Sequence, residues 1–218
     1  MIKPDREYRN FASFNLIETR AAEDGSENDS KIVEGYASTF EPYDLFEFAG
    51  AIYREKIDRN AFTDADLSDV VFLRDHAGAV LARTKNNLIS LMVDDGGLFT
   101  RTDLSKTDAA KQMFDDIKVK NYTQMSFAFT SDRDAEEWTE TKEDTKTIYT
   151  RIIKRVKKVF DISAVAFPAN DGTNIGLSAR ALFDGEIEKL KAERLENERR
   201  KKARQALELK IKIMEAKL

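Results

Sequence analysis

The chain has 218 residues, 41% of them apolar and 10% aromatic, which is enough for a hydrophobic core and for one or two domains. Lys plus Arg (36) against Asp plus Glu (40) leaves a net charge of −4, which argues against a general polyanion binder. With no Cys and one His, disulfides, thiol catalysis, thiolate metal sites and a His-rich metal centre are excluded, and no cofactor is expected.

No run of about 18 apolar residues is present, and the opening MIKPDREYRN lacks the apolar stretch of a secretory signal. A cytoplasmic protein with no membrane partner is the expectation. Residues 9–20 and 31–40 read as two strands around the polar loop AEDGSENDS, with Gly35 inside the second. Residues 70–74 (VVFLR) form a short β-rich run that ends at Asp75-His76. Residues 87–93 and 97–103 flank the turn Asp94-Asp95-Gly96-Gly97 and predict a hairpin. A helix follows, with Ser105 as its expected N-cap and with Ala109, Ala110, Met113, Phe114 and Ile117 on one face. Residues 122–130, 147–158 and 159–167 return to strand character, and Pro168 closes the last of them.

Residues 181–218 differ from the rest. They hold no Pro and no aromatic beyond Phe183, and eleven Lys/Arg against eight Asp/Glu leave them at +3 and the body at −7. Leu207, Ile211, Met214 and Leu218 are spaced 4, 3 and 4, one stripe of a helix resembling coiled-coil spacing. The predicted division is therefore a body, 1–180, and a charged helical tail, 181–218. The body is α+β: a mainly antiparallel β-barrel or sandwich with packed helices.

Three residues could carry chemistry. His76 is the usual kind of general base at neutral pH, or a loop histidine with no role. Ser126 lies within the strand QMSFAF, on the side of Ala128 and opposite Met125, Phe127 and Phe129, or is only a small polar strand residue. Asp161 interrupts the apolar β run VFDISAVAF, where a buried carboxylate needs a partner, unless it lies on an exposed edge or caps a turn. A nucleophile, a base and an orienting acid can occur in any chain order, but composition does not bring them together in space. The basic run around Lys154, Arg155, Lys157 and Lys158 lacks aromatic interleaving and reads as a solvated strand face. The carboxylates Glu136, Glu137, Glu140, Glu143 and Asp144 lack the spacing of a calcium loop and read as a hairpin tip.

Four blocks, in order and spacing, resemble the prohead maturation proteases of tailed phages, which share a fold with the herpesvirus assemblins. They are EGYASTFEPYD at 34–44, FLRDHAGAVLART at 72–84, GGLFTRTDLSKTDAAKQMFDDIKVKNYTQMSFAFT at 96–130 and VFDISAVAFPAND at 159–171. The resemblance spans roughly residues 10–177. It implies Ser126 as nucleophile, His76 as base and Asp161 as the acidic third member, where many relatives have Glu. Arg83, in the His block, is a candidate for binding substrate or stabilising the oxyanion.

The resemblance further implies a serine endopeptidase that cleaves the scaffold, or the scaffolding segment of the major capsid protein, and itself. It would act inside the assembling procapsid in the bacterial cytoplasm, with no direct nucleic-acid binding, and as a homodimer by analogy with the assemblins. Self-cleavage is expected within residues 178–205, with Ser178–Ala181 as a flexible site between body and tail. The tail would dock on helical scaffold or pack on its own body. The alternative is a non-catalytic assembly or scaffolding protein that keeps the protease fold.

Overall fold

The computed structural model describes residues 6–10, 18–20, 31–143, 145–166 and 174–215. In chain order the strands are β1 (Glu7–Asn10), β2 (Glu18–Arg20), β3 (Ile32–Thr39), β4 (Tyr43–Phe48), β5 (Ala51–Ile57), β6 (Val71–Arg74), β7 (Ala77–Arg83), β8 (Ile89–Val93) and β9 (Gly97–Asp103). Helix α1 (Asp108–Lys118) precedes β10 (Gln124–Ser131), β11 (Glu136–Glu143), β12 (Lys146–Ile153), β13 (Val156–Val165) and helix α2 (Asn174–Glu215). Two compact units result, Met1–Gly176 and Leu177–Leu218.

The class is α+β. Among the described residues the strands form three open sheets, ordered β1-β10-β13-β6-β7, β11-β12-β5-β4 and β2-β3-β9-β8, and no closed barrel. Pairing is antiparallel except for β13 with β6 and β12 with β5, so the fold is mixed at two places. β10 and β13 are central strands buried on both faces, which explains why QMSFAF and ISAV read as nearly continuous apolar runs. One core draws on all three sheets and α1: Val33, Phe40, Ile57, Phe72, Leu98, Met113, Phe127 and Ile162 are all within it.

The hairpin at 94–97 forms as expected. Asp94 Oδ1 accepts from the Gly96 and Gly97 amides at 2.7 and 3.2 Å, and Asp94 N–H donates to Gly97 O. Gly97 has φ +147°, and a Cβ there would lie 2.0 Å from Ser38 O on β3, so only glycine fits.

Several expectations are corrected. Helix α1 is capped by Thr107, whose hydroxyl accepts from Ala110 N–H, two residues beyond Ser105. Its core face is Ala110, Met113, Phe114 and Ile117, and Ala109, at the flank of that stripe, is exposed. The run at 147–167 breaks at Lys154-Arg155 rather than at 158, and the acidic run at 136–143 is strand β11, paired along its length with β12. The hairpin β4–β5 carried no turn signal beyond Ala49-Gly50, which takes left-handed backbone at φ 50° and 77°.

Helix α2 begins at Asn174, so Ser178–Ala181 lies inside a helix rather than on a flexible link. Residues 191–208 are exposed throughout, and pairs such as Arg200–Glu196 and Arg204–Glu208 run along the surface. Each such pair contributes only about 0.3–0.5 kcal/mol. Of the predicted distal stripe, Leu207 is exposed, and the side chains from 209 onward lie outside the described set.

Candidate active site

The site is built on the first sheet. β10 and β13 pair antiparallel with Ser126 opposite Ser163 and Ala128 opposite Asp161. Side chains alternate along a strand, so Ser126, Asp161 and Ser163 share one face while Phe127 and Ile162 enter the core from the other.

His76 reaches that face from the hairpin of β6 and β7. Arg74 pairs with Ala77, leaving Asp75 and His76 as a two-residue turn with φ of 46° and 57°. Positive φ at both positions is the type I′ pattern, which favours Asn or Asp followed by Gly. A non-glycine residue there costs on the order of 1 kcal/mol, so neighbouring contacts must hold it. They do: Asp75 N–H donates to Ala164 O at 3.0 Å, Asp75 Oδ1 accepts from Ala166 N–H at 3.2 Å, and His76 N–H donates to Ser163 Oγ at 3.2 Å. Arg74 ties the same hairpin to α1 through Asp116 at 2.7 Å.

The three side chains singled out from the sequence form one chain of hydrogen bonds. Asp161 Oδ1 lies 2.6 Å from His76 Nδ1, and His76 Nε2 lies 2.5 Å from Ser126 Oγ. A carboxylate at Nδ1 places the ring proton there and leaves Nε2 free to accept from the hydroxyl. Ser126 is 0% exposed and Asp161 3%, so the arrangement is largely shielded from water. The shorter Asp side chain reaches His76 without loss of the bond.

The structure places Arg83 elsewhere. It ends β7, seven residues or about 23 Å of extended chain from His76. There it makes a bidentate contact with Asp69 at 2.6 and 2.7 Å.

Sequence reasoning missed three participants. Ser163 donates to Asp161 Oδ1 at 3.0 Å and lies 3.2 Å from His76 Nδ1, so one hydroxyl touches the acid, the ring and the turn amide. Its spacing of two from Asp161 was the available signal. Tyr8 packs edge-on against the His76 ring, with centroids 4.8 Å apart. The carbonyl of Arg9 accepts from Ser126 Oγ at 2.8 Å. The Arg9 side chain points the other way, to Glu55, at 2.5 and 2.8 Å.

Glu55 belongs to a buried ionic cluster. Arg151, fully buried, meets Glu55 at 2.8 Å, Glu7 at 2.5 Å and Glu136, while the Tyr43 hydroxyl donates to Glu55. Burial pushes the Glu7 and Glu55 carboxyls up, but the guanidinium groups of Arg9 and Arg151 outweigh it and hold both below the usual carboxylate range. Burial and the adjoining Glu55 charge push the Tyr43 phenol well up, so it stays a donor.

A hydroxyl, an imidazole and a carboxylate joined in this order are the arrangement of the serine hydrolases, found on unrelated folds. The sequence profile of the caudovirus prohead serine proteases matches residues 15–186, and the chain belongs to that family. It is thus a serine protease of phage capsid maturation. No curated protein and no solved structure matches the chain.

Proposed function

We propose that the protein is an endopeptidase that cleaves the scaffold, or the scaffolding segment of the major capsid protein, inside the procapsid, with Ser126 as nucleophile. The unbroken relay from Asp161 through His76 to Ser126, at 2.6 and 2.5 Å, carries this reading. His76 Nε2 takes the hydroxyl proton as Ser126 Oγ attacks the scissile carbonyl. The tetrahedral intermediate collapses, the C–N bond breaks, and His76 returns the proton to the leaving amine. Asp161 holds the ring in the Nδ1–H tautomer and stabilises the imidazolium. Water then hydrolyses the acyl-enzyme by the same steps.

In this reading residues 1–180 are the protease and residues 181–218 a tail that docks on helical scaffold. The exposed, ion-paired surface of residues 191–208 supports a tail open to a helical partner. Self-cleavage, if the tail is removed, requires its helix to open first, because a protease binds its substrate extended.

Co-expression with the scaffold and the major capsid protein tests the reading. Wild type shortens one or both, as read by mass spectrometry, and Ser126→Ala leaves both intact. Equal cutting by the two would assign the activity to a host protease. Intact chains in both, with procapsids assembled, would favour a non-catalytic assembly role.

A further inference from the structure

A fully buried nucleophile cannot meet a substrate carbonyl, so something beside Ser126 must move. On one side β13 is held to β10 by eight register pairs, and on the other β1 is held by four, at the edge of the sheet. β1 is the element that separates at lower cost. It is also the element that contacts the reacting groups. Tyr8 covers the His76 ring, and the Arg9 carbonyl takes a hydrogen bond from Ser126 Oγ. A serine hydroxyl has one proton, so Arg9 O competes with His76 Nε2 for it.

We infer that the edge of β10 covered by β1 is the substrate cleft, that β1 sits there as an intramolecular stand-in, and that Glu55 selects Arg or Lys on the acyl side of the scissile bond. The inference rests on the protease reading above. Antiparallel pairing sets Asn10 opposite Ser126 and Arg9 opposite Phe127. Alternation then sends the Arg9 side chain to the face away from the triad, where its guanidinium meets Glu55. The Arg9 carbonyl stays under the serine hydroxyl. An incoming peptide strand that takes this register presents one residue's carbonyl to Ser126 and that same residue's side chain to Glu55.

Charge sets the preference. When β1 leaves, Arg9 and Glu7 go with it, and Arg151 remains with Glu55 and Glu136. One cation then faces two buried carboxylates, and Glu55, fully buried, has lost its bidentate partner. Leaving a buried carboxylate short of a partner is strongly unfavourable, so a basic side chain restores what departure removed, and a neutral or acidic one does not.

The test uses the full wild-type chain and a series of internally quenched peptides that differ at one residue: Arg, Lys, Gln or Glu. Cleavage after Arg and Lys is expected to exceed cleavage after Gln and Glu by about 100-fold in kcat/KM, and Glu55→Gln is expected to reduce that ratio at least about tenfold. If Glu55→Gln does not fold, the wild-type series decides alone. In parallel, a fluorophosphonate probe reads access to Ser126 by mass spectrometry, and Arg9→Ala, or Tyr8→Ala if the first is unstable, is expected to speed labelling about tenfold or more. Labelled Ser126 with cleavage indifferent to the peptide residue, or with none, overturns the inference and leaves the nucleophile standing. No labelling in any folded variant overturns the protease reading and the inference with it.

Discussion

The backbone N–H of His76 donates to the hydroxyl of Ser163 at 3.2 Å, and the same hydroxyl donates to Asp161 at 3.0 Å. One small side chain thus ties the turn that carries His76 to the Asp161 carboxylate. Ser163→Ala should lower kcat about tenfold with KM nearly unchanged, because each hydrogen bond lost to a charged group is worth about 1.5–3 kcal/mol and part of that loss is recovered by water. Ser163→Thr should restore most of it. A change in KM alone would point to substrate contact instead.

Asp161→Asn keeps the shape of the carboxyl but removes its demand for the Nδ1 proton. The ring can then carry its proton on Nε2, where it no longer accepts from Ser126. The expected loss in kcat is about 10⁴, with the melting temperature little changed. Activity within tenfold of wild type would remove Asp161 from the relay.

Asp75 holds left-handed backbone beside His76 and accepts from Ala166 N–H. Asp75→Ala puts a residue with no such preference at φ 46° and deletes the bond. A cost of roughly 1–2 kcal/mol is expected, read as a fall of about 2–6 °C in melting temperature. Asp75→Asn, which tolerates the same backbone, should recover most of the fall.

The buried cluster around Arg151 gives stability a defined pH dependence. Glu7 and Glu55 titrate lower in the folded chain than in the unfolded one. Their contribution is therefore complete above the unfolded carboxylate value of about 4.3 and is lost as pH falls below it. Thermal melts should be nearly flat from pH 7 to 5 and drop steeply below about 4.5. Arg151→Met should destabilise by about 3–5 kcal/mol at neutral pH, since it leaves three carboxylates short of a partner, and it should be less unstable near pH 5 than at pH 7. A flat response of Arg151→Met to pH would contradict the pairing.

Much of the fold was legible where local signals agree. Asp94 with two glycines after it can hardly be anything but a hairpin turn, and Met113, Phe114 and Ile117 keep helical spacing. The site residues were legible one at a time, because a lone His after VVFLR and an Asp inside VFDISAVAF break their surroundings. Their meeting was not, since His76 and Asp161 lie 85 residues apart and come together only because β13 pairs in parallel with β6. The hidden cluster had a faint signal. Ala51, Tyr53, Glu55 and Ile57 alternate inward on β5, and the carboxylate among them announces a buried cation. Nothing local says that the cation is Arg9 or Arg151. Arg83 illustrates the converse: it lies in a motif-bearing block, but its strand carries it away from the turn and Asp69 takes its charge.

In the proposed mechanism Ser126, His76 and Asp161 act as one unit. The direct measurement is kcat on purified scaffold or capsid protein for Ser126→Ala, His76→Ala and the triple alanine variant. Ser126→Ala alone is expected to lose about as much as the triple, roughly 10⁶-fold, with His76→Ala close behind. Losses that multiply from one variant to the next, or a Ser126→Ala enzyme within tenfold of wild type, would contradict it.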